Sequence, residues 1–313
     1  MQDTEPFWPG DPRTELAAGL SAPIAHIAPK YFYDRLGSAL FAAICQLDEY
    51  YPTRTERLVL AACLEELAGL AGTQRTLVDL GAGDCVKAER LFARLQPRHY
   101  VALDISAEFL AAALARLRRE HPGLALEGYG CDLTTRWTLP DEVPHDGRLF
   151  LYPGSSIGNF SPDEACTFLE RVRANAQDDG QLLIGVDLVK DAATLQAAYD
   201  DALGVTAAFN RNMLLHVNRL LGADFAIADW RHVAFFDVAH SRIEMHLEAL
   251  RALAVSWPGG ARKFAAGERI HTENSYKYRE EDFAALLARA GWRSVRCWTD
   301  PRRWFAVMLA RAD

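Results

Sequence analysis

Residues 77–84 read LVDLGAGD, an apolar run that ends abruptly in a glycine-rich turn. Asp104 closes a second apolar run about twenty residues on, the spacing of the first strand, helix and strand of an adenosine-binding α/β fold. Gly81 and Gly83 allow unusual φ values and a close backbone approach. A carboxylate at the tip of the next strand can hold both ribose hydroxyls. The pattern predicts a sheet that binds a nucleotide cofactor.

A dinucleotide site would ask for G-x-G-x-x-G, with a helix N-terminus aimed at a pyrophosphate. Here position 86 is Val86, and the turn runs on as Asp84, Cys85, Val86, Lys87. A carboxylate therefore stands where a pyrophosphate needs amide donors. An adenosine ligand with a cationic sulfonium, S-adenosylmethionine (SAM), fits better. Asp132, after a third apolar run, is placed for the adenine amino group. The same D-x-G-x-G turn also serves plain strand-to-helix packing, so the motif alone leaves both readings open.

Half of the 313 residues are hydrophobic, enough for a full core and for two lobes. The formal charge of −8 and the lack of Lys/Arg-rich runs speak against nucleic acid and anionic membranes, which need a clustered positive face. A small-molecule substrate is expected, with no obligate protein partner. The opening MQDTEPFWPGDP lacks the basic and then apolar segments of a signal peptide, and no stretch reaches the ~20 apolar residues of a membrane span. A cytoplasmic protein follows as the expectation. Cys45, Cys63, Cys85, Cys131, Cys166 and Cys297 form no C-x-x-C pair and read as reduced thiols.

Along the chain, residues 53–70 carry apolar positions at helical spacing and lead into a strand at 76–80. Apolar runs at 100–103, 124–126, 149–152 and 182–186 then alternate with helical patterns at 87–95, 107–119 and 162–175. Such alternation predicts a Rossmann-like, doubly wound α/β sheet. Ser161, Pro162 and Glu164 form a good helix start. From 190 to 222 the pattern is helical, and 232–238 and 242–250 look like strands. The doubly wound pattern resumes near Tyr278 with a helix at 281–290 and a closing hairpin at 294–298 and 304–309. The expected division is a cofactor domain of 54–188 and 278–313, and an inserted α+β substrate domain of 1–53 and 189–277 over the C-terminal ends of the strands.

Several longer stretches go beyond any general SAM fold: YFYDRLGSALF (31–41), DEYYPTRTE (48–56), YPGSSIGNF (152–160), DLVKD (187–191), AYDDALGVTAAFNRNMLLHVNRLL (198–221), RIEMHLEA (242–249) and FAAGERIHTENSYKY (264–278). In order and over nearly the whole chain, they resemble the L-histidine Nα-methyltransferases, which make hercynine in ergothioneine biosynthesis. The resemblance implies SAM as cofactor and L-histidine as substrate. It assigns the cofactor to Gly81, Gly83, Lys87, Asp104, Asp132 and Leu133. Asn159 and Tyr199 correspond to ligands of the substrate carboxylate, with Gly154 in the same turn as Asn159. Glu273 and Ser275 correspond to imidazole ligands; a carboxylate and a hydroxyl can meet both ring nitrogens of one neutral tautomer. Met245 matches a pocket-lining position. Tyr33, Phe41 and Tyr50 match aromatic positions near the reacting amine, where π faces suit a nitrogen that becomes permanently cationic. Tyr33 and Asn159 are the candidates for orienting that amine.

Other functions compete with this reading. A methyltransferase of the same architecture acting on another amino acid or aromatic amine is the nearest alternative. A nucleic-acid methyltransferase is disfavoured by the charge and by YPGS, in place of an N-P-P-Y-type tetrad, after the fourth strand. A metal protein built on His232, His240, Glu244 and His246 would place the last three on one strand face. Hydrogen-bonded histidines are the plainer reading, and no metal is expected.

Overall fold

The computed structural model describes residues 11–313, and the opening stretch read above for a leader lies mostly outside them. Three helices come first: α1 (Pro12–Ser21), α2 (Arg35–Ile44) and α3 (Tyr51–Ala71). The wound segment holds β1 (Thr76–Leu80), α4 (Val86–Leu95), β2 (His99–Asp104), α5 (Ala107–Glu120), β3 (Ala125–Gly130), β4 (Arg148–Tyr152), α6 (Pro162–Ala176) and β5 (Gln181–Asp187). It is followed by α7 (Ala192–Ala197), α8 (Val205–Leu221), β6 (Trp230–Asp237), β7 (Arg242–Ala249), β8 (Leu253–Trp257), β9 (Gly260–Phe264) and β10 (Arg269–Tyr276). The chain ends with α9 (Glu280–Arg289), β11 (Trp292–Thr299) and β12 (Phe305–Ala312). The described residues form two compact units: Pro52–Val189 with Lys277–Asp313, and residues 11–51 with Lys190–Tyr276.

In the first unit, seven strands make one sheet in the order β11-β12-β5-β4-β1-β2-β3. Strands β1 to β5 are parallel, and β12 runs antiparallel between β5 and β11. The winding reverses between β1 and β4, and at such a reversal the loops at the C-terminal strand ends part and leave room for a ligand. Every residue of β1 and β4 is buried, as an apolar run without alternation predicts for a strand covered on both faces. Val59, Cys63, Leu67 and Ala71 of α3 form a helical stripe packed with Leu77, Leu149 and Leu183. The helix start expected at Ser161 is present, with Pro162 in the first turn of α6, and Ser161 and Glu164 make a reciprocal capping box there. This is the doubly wound α/β sheet, and its closing hairpin is present.

The second unit departs from the sequence reading in one region. Strands β6 and β7 match the two strand-like stretches, but β8, β9 and β10 occupy residues that periodicity left unassigned. The reason is local: β9 reads GARKF and β10 reads RIHTENSY, polar runs with little apolar alternation. Strands β10, β7 and β6 form an antiparallel sheet, and β8 pairs with β9. The helical region divides into α7 and α8, where the Asp201 carboxylate accepts from the Val205 and Thr206 amides. No helix of the described residues is long and apolar enough to cross a membrane.

Candidate active site

The predicted residues fall into two clusters, one in each unit. In the first, the turn after β1 is pinned to the end of β2. The Gly81 and Ala82 amides donate to the Leu103 carbonyl at 2.8 and 3.0 Å, and the Gly83 amide donates to Asp104 Oδ2 at 2.8 Å. Gly81 and Gly83 have φ of +70° and +55°, the left-handed region that a glycine enters without strain, and nothing crowds the space where a Cβ would stand. The other Asp104 oxygen accepts from the Ser106 amide at 2.8 Å. Burial pushes the Asp104 carboxyl up, and these two amide bonds work against that shift. Asp132 is buried, and its Oδ1 accepts from the amide and the hydroxyl of Thr134. Leu133 beside it is half-exposed.

Lys87 lies in the first turn of α4, and Gly154 and Asn159 lie in the turn that follows β4. Gly154 has φ +79°, and a Cβ there would stand 2.8 Å from Lys87 Nζ. Left-handed glycines with open space beside them and a carboxylate at the tip of β2 suit an adenosine ligand. The carboxylates of Asp84 and Asp104 at this turn suit a cationic sulfonium. SAM fits this donor set.

The second cluster is a chain of contacts within the other unit. Ser275 Oγ and Tyr199 Oη share a hydrogen bond of 2.7 Å, and both residues are buried. The Tyr199 ring lies 6.2 Å from Tyr50, Tyr50 lies 6.1 Å from Phe41, and Phe41 lies 5.7 Å from Tyr33, each pair edge to face. Asp34 caps α2 by accepting from the Gly37 amide, which fixes the entry of the segment carrying Tyr33 and Phe41. Burial raises the Tyr50 phenol well above its ordinary value, with Tyr199, Cys45, Tyr33 and Glu273 adding to the shift. It stays protonated and can donate.

Glu273 and Ser275 reach this cluster through an irregularity in β10. Its His271 pairs with His246 of β7, but beyond a register shift Glu273 pairs with Met245 and Ser275 with Ile243. Residues directly opposite one another in an antiparallel pair share a face. The extra residue, Thr272, donates its hydroxyl to the Met245 carbonyl at 3.0 Å. Without the shift, Glu273 would oppose Glu244 and point to the face of His271. The bulge brings Glu273 and Ser275 onto the face of the buried Met245.

The histidines weighed as metal ligands have other roles. His240 lies in the turn between β6 and β7, not on the strand, and bonds Asp237. His232 donates from Nε2 to the Tyr199 carbonyl at 2.8 Å and accepts at Nδ1 from Asn210 at 2.8 Å, which defines a neutral ring. Burial lowers its pKa in the same sense. Glu244, His246 and His271 do gather, with possible ligand atoms within 4.8 Å of one another. Arg242 and His246 hold Glu244, and Asn274 holds His271.

Sequence reasoning overlooked two residues that organise these clusters. Phe209 of α8 packs against Tyr33 at 5.9 Å and Phe41 at 6.0 Å, yet reads as ordinary helix core. Glu56 of α3 holds Lys87 and Gly154 together. Its signal was legible: at 56, 59, 63 and 67 it is the one acid on an otherwise apolar helical stripe.

A family model described as histidine-specific methyltransferase, SAM-dependent, matches residues 12–312. The chain is 41% identical over 305 residues to a protein of Mycolicibacterium smegmatis named histidine N-alpha-methyltransferase, a match that covers 95% of this chain and 94% of that one. A protein of the same name from Mycobacterium tuberculosis is 40% identical with the same coverage. Ergothioneine biosynthesis protein 1 of Neurospora crassa is 30% identical over 292 residues, which are 90% of this chain and 32% of that longer protein.

Proposed function

Because this chain belongs to the histidine-specific, SAM-dependent methyltransferase family, we propose that it methylates the α-amino nitrogen of L-histidine three times to give hercynine, the first step towards ergothioneine. The cofactor supplies each methyl group as a sulfonium-bound carbon. Gly81, Gly83, Asp104, Asp132 and Leu133 hold its adenosine, and Lys87 meets the carboxylate of its tail. The substrate is a small molecule. The acidic balance supports the absence of a nucleic-acid partner, and six unpaired cysteines support a reducing, cytoplasmic setting.

Transfer from a sulfonium is an in-line displacement, so the work of the protein is to position a neutral amine and exclude water. Tyr199 and Asn159 donate to the substrate carboxylate. Glu273 accepts from one imidazole nitrogen, and Ser275 donates to the other. This pairing selects one neutral tautomer and disfavours side chains that would leave the Glu273 carboxylate unmatched. Tyr33, Phe41 and Tyr50 surround the amine with aromatic faces, which tolerate the growing ammonium without exchanging a proton. Tyr33 and Asn159 orient the nitrogen. An α-amino group is largely protonated at neutral pH, so desolvation in this aromatic setting must favour its neutral form.

The observation that carries the substrate reading is the bulge that puts Glu273 and Ser275 on the Met245 face, with Ser275 bonded to Tyr199. The test combines a mass-spectrometric panel of amino acids with steady-state kinetics of the Glu273→Ala, Ser275→Ala double variant. Histidine alone should gain one, two and three methyl masses, and the variant should show a raised KM for histidine. An unchanged KM would remove the imidazole assignment.

A further inference from the structure

Glu56 is a carboxylate placed where the helical pattern of α3 asks for an apolar residue. It is 1% exposed, and the next positions of its stripe, Val59, Cys63 and Leu67, are equally buried. A charge in such surroundings persists only when its oxygens are matched. Both are: Oε2 accepts from Lys87 Nζ at 2.7 Å, and Oε1 accepts from the Gly154 amide at 2.6 Å. One buried side chain thus ties the first turn of α4 to the turn after β4.

The backbone makes room for it. A Cβ on Gly185 in the middle of β5 would stand 2.2 Å from Glu56 Oε1, and a Cβ on Gly154 would press on Lys87 Nζ. Both positions that border the pair are glycine. The two partners differ in exposure: the side chain of Glu56 is 2% accessible and that of Lys87 is 35% accessible. An ammonium carries three donors. Anchoring one of them on a buried carboxylate holds the lysine in one rotamer with its remaining donors available to an anion.

We propose that Glu56 is a positioning residue for the cofactor's amino-acid tail: it orients Lys87 toward the tail carboxylate and, through the Gly154 amide, sets the turn that carries Asn159. The proposal rests on the reading of Lys87 as a cofactor ligand. It adds a residue that need not touch the cofactor and that, among the cofactor's parts, acts on the tail alone.

Two ligands separate this role from a general structural one. S-adenosylhomocysteine carries the tail carboxylate, whereas 5′-methylthioadenosine has the same adenosine and no tail. Binding of both is measured by calorimetry for the wild type, Glu56→Gln, Lys87→Ala and the double variant. Glutamine keeps an acceptor for the Gly154 amide and loses the charge. Glu56→Gln should weaken S-adenosylhomocysteine about tenfold and leave methylthioadenosine within about twofold, the size of a lost charged hydrogen bond. Lys87→Ala should show the same selectivity, and the double variant should bind no more weakly than Lys87→Ala. Gly185→Ala, whose methyl group displaces the Glu56 carboxylate, should reproduce the pattern if Glu56→Gln folds poorly. Equal weakening of both ligands, or additive losses in the double variant, overturns the proposal. A silent Glu56→Gln beside a weakened Lys87→Ala overturns it alone. A silent Lys87→Ala removes the cofactor reading of that lysine and the proposal with it.

Discussion

Tyr199 and Ser275, 76 positions apart in the chain, meet hydroxyl to hydroxyl at 2.7 Å inside the second unit. One precedes α8 and the other lies in β10, so the bond joins a helical segment to a bulged strand. It also joins the residue proposed for the substrate carboxylate to one proposed for its ring. Each hydroxyl carries one proton, so a ligand that takes both in the proposed pairing replaces this bond, and it should therefore feel the two residues as coupled. Tyr199→Phe and Ser275→Ala should each raise the KM for histidine about tenfold, and the double variant should fall well short of the product of the two, as expected for groups sharing one hydrogen bond. Strict additivity in the double-mutant cycle would count against a shared grip.

Asp104 serves both its own turn and, by proposal, the ribose. Asp104→Ala removes the acceptor of the Gly83 amide along with the ribose ligand. S-adenosylhomocysteine affinity should fall about 10–100-fold, the range for hydrogen bonds to a charged group. The KM for histidine at saturating cofactor should move little. A loss confined to histidine would place Asp104 elsewhere in the mechanism.

The raised pKa of Tyr50 fixes the shape of the pH profile. Its phenol holds its proton beyond the ordinary value of 10.0, so it does not titrate in the working range. The substrate amine must be neutral to react. Turnover at limiting histidine should rise through the amine's titration, which the adjacent carboxylate puts above the ~8 of a peptide α-amino group, with no descending limb from the Tyr50 phenol. Tyr50→Phe should lower the rate without altering that shape. A descending limb above pH 8 that disappears in Tyr50→Phe would show that the phenol ionises after all.

Asp79 gives the first unit a stability that depends on pH. Burial raises its carboxyl to about 7 from the ordinary 3.8, although the Tyr100 hydroxyl donates to it at 2.7 Å. The unfolded chain releases this proton near 3.8 while the folded chain keeps it to about 7. The contribution is thus full below 3.8 and is lost as pH rises through that window, by an amount on the order of a few kcal/mol. Asp79→Asn should gain stability relative to the wild type between about pH 5 and about pH 8, read from urea melts. Parallel curves for the two proteins would mean that Asp79 is ionised in the folded state.

Much of the first unit was legible because its signals are local. Apolar runs of strand length, the glycine turn and the Ser161 cap each report on a few neighbouring residues, and the fold assembles them in the order they occur. The second unit was harder to read. Strand β8 is only five residues long and β9 and β10 are rich in polar residues, so alternation does not mark them, and β10 owes its stability to pairing with β7. The residue pattern of Glu56 was visible, yet nothing nearby in sequence names its partners Lys87 and Gly154.

The sequence by itself determined the parallel sheet, the cofactor turn and the types of side chain available for an amino acid, because periodicity and turn chemistry act over a few residues. That residues 269–276 form a strand, in which Glu273 and Ser275 share a face because they lie two apart, follows from pairing with β7. Only the tertiary structure decided which face. The shift at Thr272 is a property of β10 paired with β7, and a single unmatched residue reverses the side on which every later side chain emerges.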